Sequence, residues 1–228
     1  MRSAIGLIFA FVLGLPGQTD WGDGAQVDIA LVLAMDCSSS VDEDEFALQM
    51  QGLGRAFQRD EVKAAIRAGS LQRIAVSVVQ WSGKGNQVTV IPWTIVASND
   101  DADSFGARVA ILNRELDPTA TSISSALLYA AALLEASPRA SRQVIDVSAD
   151  GPNNVGPPMR DVRARLLAKG ITINALAIRN EWRNLNVYLE REVAGGEDHF
   201  VVPALDYRGY ADAIHKKLLK EITGPGTS

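Results

Sequence analysis

Residues 27–46 read VDIALVLAMDCSSSVDEDEF. From Val27 to Asp36 the run is apolar and rich in branched side chains, with no polar alternation, the pattern of a strand buried on both faces. Two-sided burial needs helices above and below the sheet. Where the run stops, Asp36, Ser38 and Ser40 stand at alternate positions, and Asp42 to Glu45 add four acids. Ser40 and Glu43 have the S-x-x-E spacing of a capping box, and the acids suit a helix N-terminus through its dipole. That reading leaves Asp36, still on the strand side, without a role. The other reading is that these oxygens hold a metal ion.

Outward from this stretch, strands and helices alternate. Residues 44–59 form a helix with Phe46, Leu48, Met50, Leu53 and Phe57 near helical spacing. RIAVSVVQW (73–81) and QVTVIPW (87–93) are strands joined by SGKGN, and Pro92 assigns the second to a sheet edge. Asp100–Glu115 and residues 122–137 follow as helices, then the strand RQVIDVSADG (142–151). The helix MRDVRARLLAKG (159–170) ends at Gly170, ahead of the strand ITINALAI (171–178). A helix over Asn186–Ala194, a short strand HFVVP and an amphipathic helix over Tyr207–Ile222 complete the order. This alternation predicts an α/β fold of three layers, α/β/α. Its sheet is doubly wound and mostly parallel, with one antiparallel edge strand.

The chain has 228 residues, 47% of them hydrophobic, and a net charge of −5. No basic stripe is present to neutralise phosphates, which argues against nucleic-acid partners. Arg2 precedes an uncharged run from Ala4 to Leu15, ended by Pro16 and Gly17. A bilayer span needs about 20 residues, so this segment reads as a secretory signal over 1–25. No A-x-A sequence defines its cleavage, and an uncleaved anchor is the alternative, the one expected route to membrane contact. The single cysteine, Cys37, precludes an internal disulfide and reads as a small apolar filler. The expected product is exported, periplasmic or secreted, with one domain over 26–222 and a flexible tail over 223–228.

Ligands of doubly wound sheets bind beyond the carboxyl ends of the strands, where strand order reverses. Asp36 and Asp150 both stand at such ends, and Thr121 precedes the helix leading into the second strand. If the two strands are neighbours, Asp36, Ser38, Ser40, Thr121 and Asp150 converge. Carboxylates and hydroxyls are hard donors suited to Mg²⁺, Mn²⁺ or Ca²⁺. DCSSS fits the D-x-S-x-S pattern of the metal-ion-dependent adhesion site in von Willebrand factor type A domains. ATSISSAL and SADGPNN resemble its two other parts, in order. Over roughly 27–222 the chain resembles a bacterial group of small, signal-bearing proteins of this kind. The resemblance implies a Mg²⁺ site with an open position that a protein partner fills with an Asp or Glu side chain. Thr119 competes with Thr121, and the spacing to Ile123 favours Thr121.

Trp182, in a polar segment after a strand, is a candidate partner contact on the same edge. Asn153 and Asn154 shape the turn after Asp150 or line the site. A metal-dependent hydrolase or phosphatase using the same aspartates is the rival reading. Ser38 stands where aspartyl phosphatases hold a second acid, and no phosphate-binding loop or nucleophile elbow is present. The expectation is a binding module, not an enzyme. Protein recovered from its native envelope is expected to begin between Pro16 and Val27. Intact-mass analysis checks this, and Met1 retained on soluble exported protein contradicts it.

Overall fold

Strand β1 (Gln26–Asp36) is buried along almost its whole length, as its unbroken apolar run requires. It pairs in parallel with β2 (Ile74–Trp81) on one side and β4 (Arg139–Ala149) on the other. Beyond β2 lies β3 (Gln87–Val96), antiparallel and at the edge. Beyond β4 lie β5 (Thr172–Ile178) and β6 (Val201–Ala204), both parallel. The order β3-β2-β1-β4-β5-β6 makes β1 and β4 neighbours. Pro92 falls where the β2–β3 register shifts, so its missing N–H costs no ladder bond. The computed structural model describes Trp21 and residues 26–224. The rest of the expected signal segment and residues 225–228 lie outside them. Among the described residues no helix is long and apolar enough to cross a membrane.

Alternation along each strand sends side chains to two cores. Ile29, Leu31, Leu33 and Met35 of β1 pack under α1 (Glu43–Gln58), α2 (Asp60–Ala68), α3 (Asn99–Ala110) and α7 (Tyr210–Thr223). Ala30, Val32 and Ala34 face α4 (Ile123–Glu135), α5 (Met159–Leu167) and α6 (Leu185–Tyr188), which runs on as a π-helical turn (Leu189–Val193). Phe57 meets Phe105 edge-on at 4.6 Å, tying α1 to α3. Fully burying a side chain of this kind contributes roughly 1.5–3 kcal/mol. Upstream, the Trp21 indole donates to the carbonyl of Ala136, just past the end of α4.

The structure departs from the sequence expectations at several boundaries. Leu48 is 39% exposed, although its spacing resembles that of its buried neighbours. Helix α3 stops at Ala110 and not at Glu115. There the Gln80 side chain takes over the backbone, donating to the Asn113 carbonyl and accepting from the Glu115 N–H. The expected 186–194 helix starts at Leu185 and widens to π geometry after one turn. The terminal helix starts at Tyr210, three residues later than expected.

One face of β4 is polar in a buried place. Arg142, Asp146 and Ser148 point to the same side as Val144, towards α7. Lys217 of α7, fully buried, lies 2.5 Å from Asp146 and 2.7 Å from Glu221. Asn174 of β5 also donates to Glu221, at 3.0 Å. Burial first, then the charge of Asp146, pushes the Glu221 carboxyl up to about 8. Arg142 donates to the last carbonyls of α7, those of Glu221 and Ile222. Lys217→Met strands Asp146 without a cation and is expected to lower stability by about 3–5 kcal/mol. Replacing Asp146 and Glu221 by leucine as well should recover most of that loss, and urea unfolding of both variants provides the comparison.

Candidate metal centre

Strand order reverses between β1 and β4, so the loops leaving their carboxyl ends diverge and leave a crevice. Asp36 is the last residue of β1, and Asp150 directly follows β4. Asp36 Oδ1 accepts the Ser38 N–H at 2.8 Å, a turn that folds the chain back over the strand end. The Ser38 and Ser40 hydroxyls then lie 3.2 Å apart. Ser40 donates to Asp150 Oδ1 at 2.7 Å, which joins two segments 110 positions apart.

The expected Ser40–Glu43 capping box does not form. Helix α1 begins at Glu43, so Asp42 is its cap: the Asp42 carboxylate accepts from the Glu45 N–H, and Glu45 accepts from the Asp42 N–H. The same acidic run supplies a better-placed box two residues on. This leaves the Ser40 hydroxyl to Asp150.

Thr121 is held from both sides by one residue. Its N–H donates to Asn154 Oδ1 at 3.0 Å, and its carbonyl accepts the Asn154 N–H at 2.9 Å. Asn153 Oδ1 accepts the Ser124 N–H at 2.9 Å, capping α4 from a neighbouring loop. Both asparagines therefore position the threonine loop. Gly156 fits this packing because its φ is +103° and a Cβ there would lie 2.3 Å from Ser122 Oγ. Ser39 N–H donates to the Thr119 carbonyl at 2.8 Å, so the threonine loop is also tied to the serine loop. The Thr119 hydroxyl is engaged elsewhere, with Ser82 Oγ and the Gly83 N–H. The Thr121 hydroxyl has no hydrogen-bond partner among the described residues.

Asp36 and Asp150 are both almost fully buried, and neither forms an ion pair with a described residue. Among the described residues Asp36 Oδ2 is buried without a hydrogen-bond partner, although the Asp150 N–H lies near enough to this carboxyl to favour its charged form; a buried acceptor left in this way is costly for a carboxylate. Burial, and then the charge of Asp150, raises the Asp36 carboxyl to about 8. A dication would supply the missing partner, and two carboxylates would balance its charge. Among the described residues no three His, Cys, Asp or Glu side chains are grouped to hold a metal. The donor set of Asp36, Ser38, Ser40, Thr121 and Asp150 is oxygen only, which fits a hard ion.

A residue that the sequence reading did not place at the site completes the cluster. Tyr207, buried and located between β6 and α7, donates its phenol to Asp150 Oδ2 at 3.0 Å. Burial and the nearby Asp150 push that phenol well above its usual range, so it stays a proton donor. In sequence Tyr207 reads as the first residue of the last helix, and no local pattern aims it at Asp150. Cys37 is buried, its thiol pushed up to about 12 by burial and then by Asp36, as suits a packing residue. Trp182 lies 54% exposed in the loop after β5. Asn180 of that loop donates to Glu45, which brings the loop beside the start of α1.

The raised Asp36 carboxyl gives metal-free protein a definite pH dependence. Folded protein holds that proton up to about 8, whereas the unfolded chain releases it near 3.8. The associated stability is complete below the lower value and is lost as pH rises through the upper one. Asp36→Asn is expected to flatten this decline and to melt higher than the unsubstituted protein near pH 8 when both are stripped of metal. Thermal melts across pH in EDTA measure it.

Solved structures share this fold at low identity. Proximal thread matrix protein 1 from the mussel byssus, in a form with a zinc-occupied MIDAS motif, has a TM-score of 0.60 and 20% identity. The match covers 87% of this chain and 48% of that one, so the chain spans about half the mussel protein. A von Willebrand factor type A protein from Catenulispora acidiphila has a TM-score of 0.58 and 16% identity, over 86% of this chain and 43% of that one. An aerotolerance-related membrane protein from Bacteroides fragilis has a TM-score of 0.55 and 17% identity, over 84% of this chain and 99% of that one. No curated protein matches in sequence. With its von Willebrand factor type A fold and a family model matched over residues 26–226, the chain belongs to the family described as "Protein of unknown function (DUF1194)".

Proposed function

We propose that the protein is a divalent-metal-dependent protein-binding module acting outside the cytoplasm. The observation that carries this is the buried, unpartnered Asp36 Oδ2, set beside Asp150 and the hydroxyls of Ser38 and Ser40. Asp36, Ser38, Ser40, Thr121 and Asp150 hold Mg²⁺, with Mn²⁺ or Ca²⁺ as alternatives. The zinc-occupied motif of the mussel protein supports a divalent ion at such a site. An oxygen-only donor set suits Mg²⁺ better than zinc. A position left open on the ion takes an Asp or Glu side chain from the partner, and Trp182 contributes to the rim of that contact.

Binding suits these residues better than catalysis. His199 is bonded to the Gly196 carbonyl and lies 3.4 Å from Glu190, away from the strand-end aspartates. His215 sits on α7. Neither histidine is placed as a general base for the cluster.

Saturating Mg²⁺ at about 100 times its dissociation constant should raise stability by roughly 2.7 kcal/mol. Asp36→Ala should abolish that gain, as read from melts of metal-stripped protein. Thr121→Ala should weaken capture of a partner from envelope extract more than it lowers the melting temperature, and EDTA should release the same partner. Equal midpoints with and without millimolar ion would falsify the metal assignment. Phosphate-ester turnover that disappears with Asp36→Ala would turn the assignment into an enzyme.

A further inference from the structure

We infer that Tyr207 is a positioning residue of the ion site, holding Asp150 so that its other oxygen orients the Ser40 hydroxyl. The inference rests on the metal reading above and adds a residue to it. Asp150 Oδ2 accepts from Tyr207 at 3.0 Å, while Oδ1 accepts from Ser40 at 2.7 Å. Both carboxylate oxygens are thus tied to donors on opposite sides. The Ser40 proton is committed to Asp150, so its lone pairs are left for Ser38 and for an ion. Asp36 differs: Oδ1 is held by the Ser38 N–H and Oδ2 is free. The geometry gives the two acids separate tasks at the site, with Asp36 presenting an oxygen to the ion and Asp150 adding its charge while it orients a hydroxyl ligand. Without the phenol, Ser40 is the one side chain among these contacts left on the Asp150 carboxylate, and the two can turn together.

Tyr207 is itself well placed for this. It is 4% exposed and packs in the core beneath α1 and α7. Three residues on, Tyr210 is also buried, but its hydroxyl meets Ser148 at 3.4 Å and does not touch Asp150. Tyr210→Phe therefore removes a comparable hydroxyl from the same region and leaves the Asp150 contacts intact.

The test is calorimetric titration of metal-stripped protein with MgCl₂, below the melting temperature of each variant. Groups that orient metal ligands typically account for about 10–100-fold in affinity. Tyr207→Phe should weaken Mg²⁺ binding by about 10-fold, whereas Tyr210→Phe should lower the melting temperature and leave the affinity unchanged. A purely structural Tyr207 would lower the melting temperature without changing affinity in the folded protein, and that outcome overturns the proposal. Equal loss of affinity in both variants overturns it too. Unsubstituted protein that takes up no Mg²⁺ overturns the metal reading itself, a result distinct from either. Should Tyr207→Phe not fold, a near-ultraviolet tyrosine difference signal on Mg²⁺ binding, retained in Tyr129→Phe, Tyr188→Phe and Tyr210→Phe, tests the same contact, because these are the other three tyrosines of the chain. Loss of that signal in any of those three variants contradicts the assignment.

Discussion

Two carboxylates buried side by side, with no cation among the described residues paired to either, are the constraint around which this fold is arranged. Burial first, and then the like charge of Asp150, raises the proton affinity of Asp36. A chain optimised only for stability would place apolar side chains there. Instead, β1 and β4 are paired so that both acids meet at the one point where loops diverge. Four donors are then gathered from three segments: the Ser38 amide and Ser40 hydroxyl of one loop, the Tyr207 phenol, and the Gln49 amide of α1 on the Asp36 backbone carbonyl. These bonds lessen the cost of burial, but one oxygen of Asp36 is left over. An unsatisfied buried acceptor in an otherwise well-bonded core is a reason to look for a ligand.

β4 carries this constraint down into the molecule. Asp150, Ser148, Asp146 and Arg142 lie on one face, and each finds its partner on or just before α7: Tyr207, Tyr210, Lys217 and the terminal carbonyls. The last helix is thus aligned on the sheet by polar contacts spaced along one strand, as well as by Ile214 and Leu218 in the core. Apolar packing alone tolerates small slides of a helix, whereas ion pairs and hydrogen bonds have narrow geometry. The polar contacts therefore fix the axial position of α7, and with it Tyr207.

Much of this was legible in the chain. An unbroken apolar run predicts β1 as a central strand, and Pro92 places β3 at the edge. Acids at the ends of two such strands predict a site at the switch point, and the structure does make those strands neighbours. The parts that were not legible depend on which of several local options the tertiary structure selects. Ser40–Glu43 and Asp42–Glu45 are both acceptable capping boxes, and the start of α1 chooses the second. Gln80 of β2 holds the backbone just beyond α3, so no residue near Glu115 announces it. Lys217 stands in a lysine-rich segment of an amphipathic helix, yet it is fully buried beside Asp146 and Glu221. Tyr207 is the extreme case, since its meaning depends wholly on Asp150, 57 positions earlier.

Hydrogen bonding also separates the two threonines, which sequence spacing alone ranked without a physical reason. A hydroxyl can serve an ion only if its lone pairs are not already directed elsewhere. Thr119 accepts from Gly83 and shares a proton with Ser82, so its side chain closes the β2–β3 turn against the loop. Thr121 is anchored through its backbone by Asn154, which fixes the residue while leaving its hydroxyl uncommitted. The same division recurs at Asp36, whose first oxygen shapes the loop and whose second has no partner. Structural bonds are assigned to some oxygens so that others remain free at defined positions. A capping or purely structural role would use these oxygens up, and it is their remaining free that makes an ion the better explanation.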